Sequence, residues 1–197
     1  MRNYEYIIAS LPELDRDGRT AKAPDATGIV EFIAGQLDGQ DRKLFGLVAD
    51  GFSDSLDRGF YTEALNSGNP FIRDYFQFDL NVRNAKVEYL NRELGRPAGT
   101  DVLTIDEGCE WEHDFDGSEE VAAVLASDDI LERERGIDDL MWRKCDELTV
   151  FSVFGLDMIL AFEVRLKIVE RWLKLDPESG RELFRRLVNE IKNSNKI

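Results

Sequence analysis

The chain is poor in the residues that make chemistry easy to see. One histidine, His113, and two cysteines, Cys109 and Cys145, occur in 197 residues. That is too few for a disulfide framework or a paired zinc motif, and it reads as two free thiols in a reducing, cytoplasmic setting. Positive charge is scarce too. There are 25 Lys and Arg against 40 Asp and Glu, a net charge of −15. Phosphate binding needs a basic patch, so this balance argues against nucleic acid, and anionic membrane surfaces are disfavoured for the same reason. Long apolar runs are missing. The longest, Leu148 to Phe162, contains Asp157 and runs into Glu163, Arg165 and Lys167. A spanning helix needs about 20 apolar residues, so no direct membrane insertion is expected. Tyr4 to Leu11 is short, and Arg2 alone makes a poor start for a signal peptide. Walker A, G-x-G-x-x-G and G-x-S-x-G motifs are absent, and no cofactor is expected.

What the chain does have is helical pattern. The stretch FIRDYFQFDLNVRNAKVEYLNRELG, residues 71–95, follows Pro70 and is closed by Gly95 and Pro97. Phe71, Tyr75, Phe78, Val82, Ala85 and Tyr89 fall on one stripe; Ile72, Phe76, Leu80, Val87, Leu90 and Leu94 form a second, roughly 100–180° around the helix. A helix apolar over more than half its circumference is packed from two sides. A second thickly apolar helix is expected over 156–175, with Glu163, Lys167, Glu170, Arg171 and Lys174 as its charged edge.

Around these two lie shorter capped segments. Thr27 is the expected cap of a helix to about Leu37, Asp41 to Ser53 is the next, and a short one follows from Asp57 to Leu65. Ser118 caps SEEVAAVLA, and Asp128 or Asp129 caps a long helix from Ile130 to about Phe151, with Ile130, Ile137, Met141, Cys145 and Leu148 on one face. The chain bends at 152–155. Asp176-Pro177-Glu178 starts a last helix to about Lys192. The opening residues NYEYIIASLPEL fit a short helix or an extended segment, the extended start being favoured, and 102–105 reads as a brief extended piece. No series of strands is visible, so the expected fold is all-α, an irregular helical bundle around the helices at about 71–95 and 156–175. One domain, 1–197, is expected, with N-terminal helices over 1–97, an acidic loop over 98–117 and C-terminal helices over 118–197. Phe78-Asp-Leu-Asn-Val-Arg83 faintly echoes Phe162-Glu-Val-Arg-Leu-Lys167, as two core helices on one pattern would.

Cys109, Glu110, Glu112, His113, Asp114 and Asp116 hold thiolate, imidazole and carboxylates close together, the donor types a divalent metal takes. Their spacing matches no defined motif, and a solvated acidic loop is the expectation. Catalytic residues are not identified. Arg83 and Arg165 fall inside apolar arcs and need acid or carbonyl partners; Asp79 and Asp157 are the candidates. Gln77, Asn81, Asn84, Glu88 and Asn91 make an amide-rich polar arc on the first core helix. With Glu110, Glu112 and Asp114 of the loop they are the candidate interface, because amides hydrogen-bond across a contact without desolvating charge.

Three stretches carry a resemblance: NYEYIIASLPEL, FIRDYFQFDLNVRNAKVEYLNRELGRP, and LDMILAFEVRLKIVERWLKLDPESGRELFRRLVNEI. They resemble an uncharacterised bacterial family, common in Bacteroidetes, encoded among the subunits of a V-type ATP synthase. The resemblance implies the role of the helical socket that joins the rotating central stalk to the membrane ring. This chain is much shorter than an ordinary socket protein of such a complex, which has three helical repeats. The implied partners are the other V-type ATPase subunits, those of the central stalk and the membrane ring. The implied place is the cytoplasm, peripheral to the inner membrane through the complex. It implies no catalytic residues. A free-standing helical adaptor or regulatory protein is the alternative.

Overall fold

The computed structural model describes residues 4–14, 25–53, 55–106 and 111–174. Among them are eight helices and no strand: α1 Tyr4–Ser10, α2 Ala26–Gln36, α3 Gly39–Asp50, α4 Arg58–Leu65, α5 Pro70–Glu93, α6 Ser118–Leu125, α7 Ile130–Thr149 and α8 Leu156–Lys174. The fold is all-α. Asx caps set most of the starts. Asp25, Asp38, Asp57, Asn69 and Asp129 each accept a hydrogen bond from a first-turn N–H, which satisfies donors the helix itself cannot.

Three local expectations need correction. The opening segment is helical rather than extended: Tyr4, Ile7, Ile8 and Leu11 are spaced for one helical face, and α1 packs that face on α8. The cap of α2 is Asp25, not Thr27. Gly117, in a left-handed conformation with φ of 89°, holds the cap position of α6 in place of Ser118. That φ suits glycine. The helix expected over 176–192 lies outside the described residues.

Three long helices, not two, organise the core. α7 runs antiparallel to α5: Lys86 pairs with Glu134 at 2.8 Å near one end, and Lys144 sits over the Phe78 ring further along. It is antiparallel to α8 as well, through Arg165–Asp146 and Arg171–Asp138. Asn69 donates to Asp157 at 3.1 Å, pinning the start of α5 to the start of α8. Helices α4 and α6 lean on α5, while α1, α2 and α3 all pack on α8. The helix most completely enclosed is therefore α8.

Candidate functional site

The polar arc of α5 is not an open face. Asn84 is 0% exposed and Asn91 2%. Asn84 grips one residue's backbone from both sides, donating to the Leu103 carbonyl at 2.8 Å and accepting from the Leu103 N–H at 3.0 Å. Asn91 donates to the Thr100 carbonyl at 2.8 Å, Glu88 accepts from the Gly99 N–H, and Asn81 accepts from the Trp111 indole at 3.1 Å. Asn84, Asn91, Glu88 and Asn81, expected to meet a partner, instead hold the chain's own Gly99, Thr100, Leu103 and Trp111 along α5. The chemistry expected of amides holds; the surface they bind is internal. Gln77 stays exposed.

α5 half-buries an acid and α8 fully buries one, each with a cation one turn on. In α5 the Tyr61 hydroxyl donates to Asp79 at 2.6 Å, and the Arg83 charge one turn on favours the ionised carboxylate. Burial pushes the Asp79 carboxyl up to about 6, against the opposing pull of Tyr61, Arg83 and Lys86. In α8 Glu163 is 0% exposed, and neither carboxylate oxygen has a hydrogen-bond partner. Lys167 stands 3.7 Å away. Burial raises the Glu163 carboxyl, and Lys167 offsets part of that rise. These pairs occupy matching places in the echo between residues 78–83 and 162–167, so the echo marks a shared packing device.

Arg165 is shielded, as its position predicts, but its partner is Asp146 and not Asp157, and its guanidinium lies over the Trp142 ring. Both come from α7, the helix its face meets. Asp157 is engaged by Asn69 instead. Three buried acids, Asp41, Glu163 and Asp138, escape a reading of the sequence, and Asp41 accepts from the Tyr4 hydroxyl. Periodicity places Glu163 on a charged edge, yet α1–α3 pack on α8. Asp138 takes the Trp172 indole N–H at 2.6 Å and the Arg171 guanidinium; burial raises its carboxyl, which Arg171 and Trp172 counter.

Asp79, Arg83, Lys86, Glu134, Asp138 and Arg171 edge an open cleft of roughly 570 Å³ between α5 and α7, with Phe76, Val82 and Met141 among its apolar walls. Lys86 and Arg171 are both paired, so neither offers the cleft a bare cation. In the acidic loop, Glu112, Asp114 and Asp116 are exposed, and the His113 ring packs 4.6 Å from that of Trp111. Cys109 and Glu110 lie outside the described residues. Cys145 is fully buried on α7, which pushes its thiol up to about 12.

Two apolar surfaces stay open, at opposite ends of the α5–α7–α8 bundle. At one, Val150, Phe151, Val153 and Phe154 project from the α7–α8 turn; at the other are Leu90, Leu94, Ile130 and Leu131. Ile130, expected on the packed face of α7, is exposed because the face turns away from the core at the first turn. The length of α7 separates the two, about 30 Å at 1.5 Å per residue.

These features define an all-α bundle with an internally clasped loop and two apolar ends. The chain belongs to the family described as DUF2764, protein of unknown function, whose model matches residues 51–195. No curated protein matches it. No solved structure does either.

Proposed function

We propose that this chain is a non-catalytic coupling or assembly component of a bacterial V-type ATP synthase, a helical socket joining central stalk to membrane ring on the cytoplasmic face. The resemblance of its opening segment, its α5 stretch and its C-terminal stretch supports the reading. The observation that carries it is the pair of apolar ends, Val150–Phe154 and Leu90/Leu94/Ile130/Leu131, on one rigid bundle. A coupling component needs two faces held apart; it needs no pocket of its own. Contiguous exposed apolar surface marks interaction sites more often than chance. Glu112, Asp114 and Asp116 add an acidic face for a basic stalk or ring surface.

The test is reconstitution with purified stalk and ring proteins from the same cell, read by size-exclusion chromatography at low and moderate salt. A complex is expected at micromolar concentration, weaker at the higher salt. No complex with any of them, together with an intact and coupled ATPase after gene deletion, overturns the reading in favour of a free-standing adaptor.

A further inference from the structure

We infer that the α7–α8 turn, Val150–Gly155, is an apolar plug that seats in an apolar pocket with a basic rim on a partner protein; the inference rests on the coupling reading for which partner that is. Phe151 is 98% exposed, and Val150, Val153 and Phe154 each show more than half of their surface. Four apolar side chains on six consecutive residues are left in water, while the neighbouring Cys145 and Leu160 are fully buried. The run is apolar enough to enter the core, and the turn carries it out instead.

The turn is held. The Ser152 N–H donates to the Thr149 carbonyl at 2.9 Å, and the Thr149 hydroxyl donates to the Cys145 carbonyl at 2.7 Å. On the far side, Asn69 fixes Asp157. Phe151 and Phe154 are therefore presented on a fixed backbone, which lowers the ordering cost of docking. Aromatic anchors of this kind dominate interface energy when a pocket desolvates them.

Charge selects the occupant. From Asp146 to Asp157 the chain carries three carboxylates, Asp146, Glu147 and Asp157, and no Lys or Arg. Arg165 reaches in from outside to Asp146, and Lys144 and Arg143 to Glu147. Yet Asp146 remains 60% and Glu147 49% exposed, and the acids Asp116 and Glu120 share Lys144 and Arg143 with Glu147. An anionic lipid surface would be repelled by this rim and by the net charge of −15. A second copy would bring like rims together. A protein pocket lined by apolar groups and edged by Lys or Arg satisfies both parts of the surface.

The experiment places a photo-crosslinking phenylalanine analogue at position 151 of the full chain in the native cell, with the same analogue at exposed position 73 as control. The crosslinked peptide is identified, and the purified partner is then titrated with wild type and with Phe151→Ala/Phe154→Ala. The expected result is a protein crosslink specific to position 151, at an apolar pocket with a basic rim, and at least a tenfold loss of affinity in the double variant with unchanged circular dichroism and melting temperature. A stalk or ring protein as that partner supports the plug and the ATPase reading together. Another protein with such a pocket supports the plug and removes the ATPase reading. A crosslink to lipid, to a second copy, to a surface without such a pocket or to nothing overturns the plug. So does a double variant that binds as tightly as wild type. Reconstitution with purified stalk and ring proteins then decides the ATPase reading by itself.

Discussion

An acid buried beside a cation one turn away leaves a measurable mark. Asp79 has a folded value near 6 against an ordinary 3.8. Between those two values the folded chain holds a proton that the unfolded chain has released, so this group's contribution to stability falls as pH rises from about 4 to 6 and stays unfavourable above. Asp79→Asn keeps an acceptor for Tyr61 and removes the charge. It should stabilise the protein at pH 7 by about 1–2 kcal/mol, after allowing for the exposed part of the side chain, and the gain should vanish near pH 4. Urea midpoints of parent and variant at the two pH values check this; a variant equally or less stable at pH 7 refutes it. Glu163 shifts in the same direction, and neither of its carboxylate oxygens has a hydrogen-bond partner to offset its burial. Residue by residue, the sequence exposes Arg83 and Arg165 as anomalies because a guanidinium in an apolar arc breaks the local pattern. It hides Glu163 because a carboxylate on a polar edge breaks nothing; only the helices packed around α8 make it buried.

At the scale of an element, α5 shows how an amide arc can look like an outer surface and be an inner one. Sequence periodicity reports which side chains are polar, and polar side chains face water or face backbone. The segment over 98–106 has no helical or strand ladder, so its peptide groups need partners from elsewhere, and Asn84, Glu88 and Asn91 provide them. Asn84→Ala should strand the Leu103 N–H and carbonyl against α5 and cost about 1–3 kcal/mol. The local signature is sharper than the global one: the Leu103 amide should exchange with deuterium much faster, while amides in the middle of α8 keep their protection. Unchanged exchange at Leu103 would mean the clasp is not what holds the loop. Helix positions are legible in the sequence because Asx caps, Pro70 and the bend at 152–155 are local signals. The loop's attachment is not, since it depends on residues 19 apart meeting in space.

For the whole molecule, the question is whether α1–α3 are an appendage. The family match begins at residue 51, just after α3, so the matched portion contains α8 without three of the helices that pack on it, α1–α3. The packing argues that they are integral. Ile7, Ile33, Leu37, Phe45 and Val48 are all buried, and all three helices contact α8. Burial of one such side chain is worth about 1.5–3 kcal/mol, so five together rival the entire stability of an ordinary domain, about 5–15 kcal/mol. Any water that removing residues 1–50 admits to buried Glu163 is a relief in the opposite direction. That relief is one carboxylate against five apolar side chains and the apolar surface of α8 left behind, so the loss dominates. The fragment 51–197 should therefore keep helical far-ultraviolet circular dichroism but lose near-ultraviolet signal and a sharp melt, and run expanded or aggregated on size exclusion. A fragment that melts cooperatively with the full chain's near-ultraviolet spectrum would show that α1–α3 are dispensable, and that α8 tolerates its Glu163 face in water.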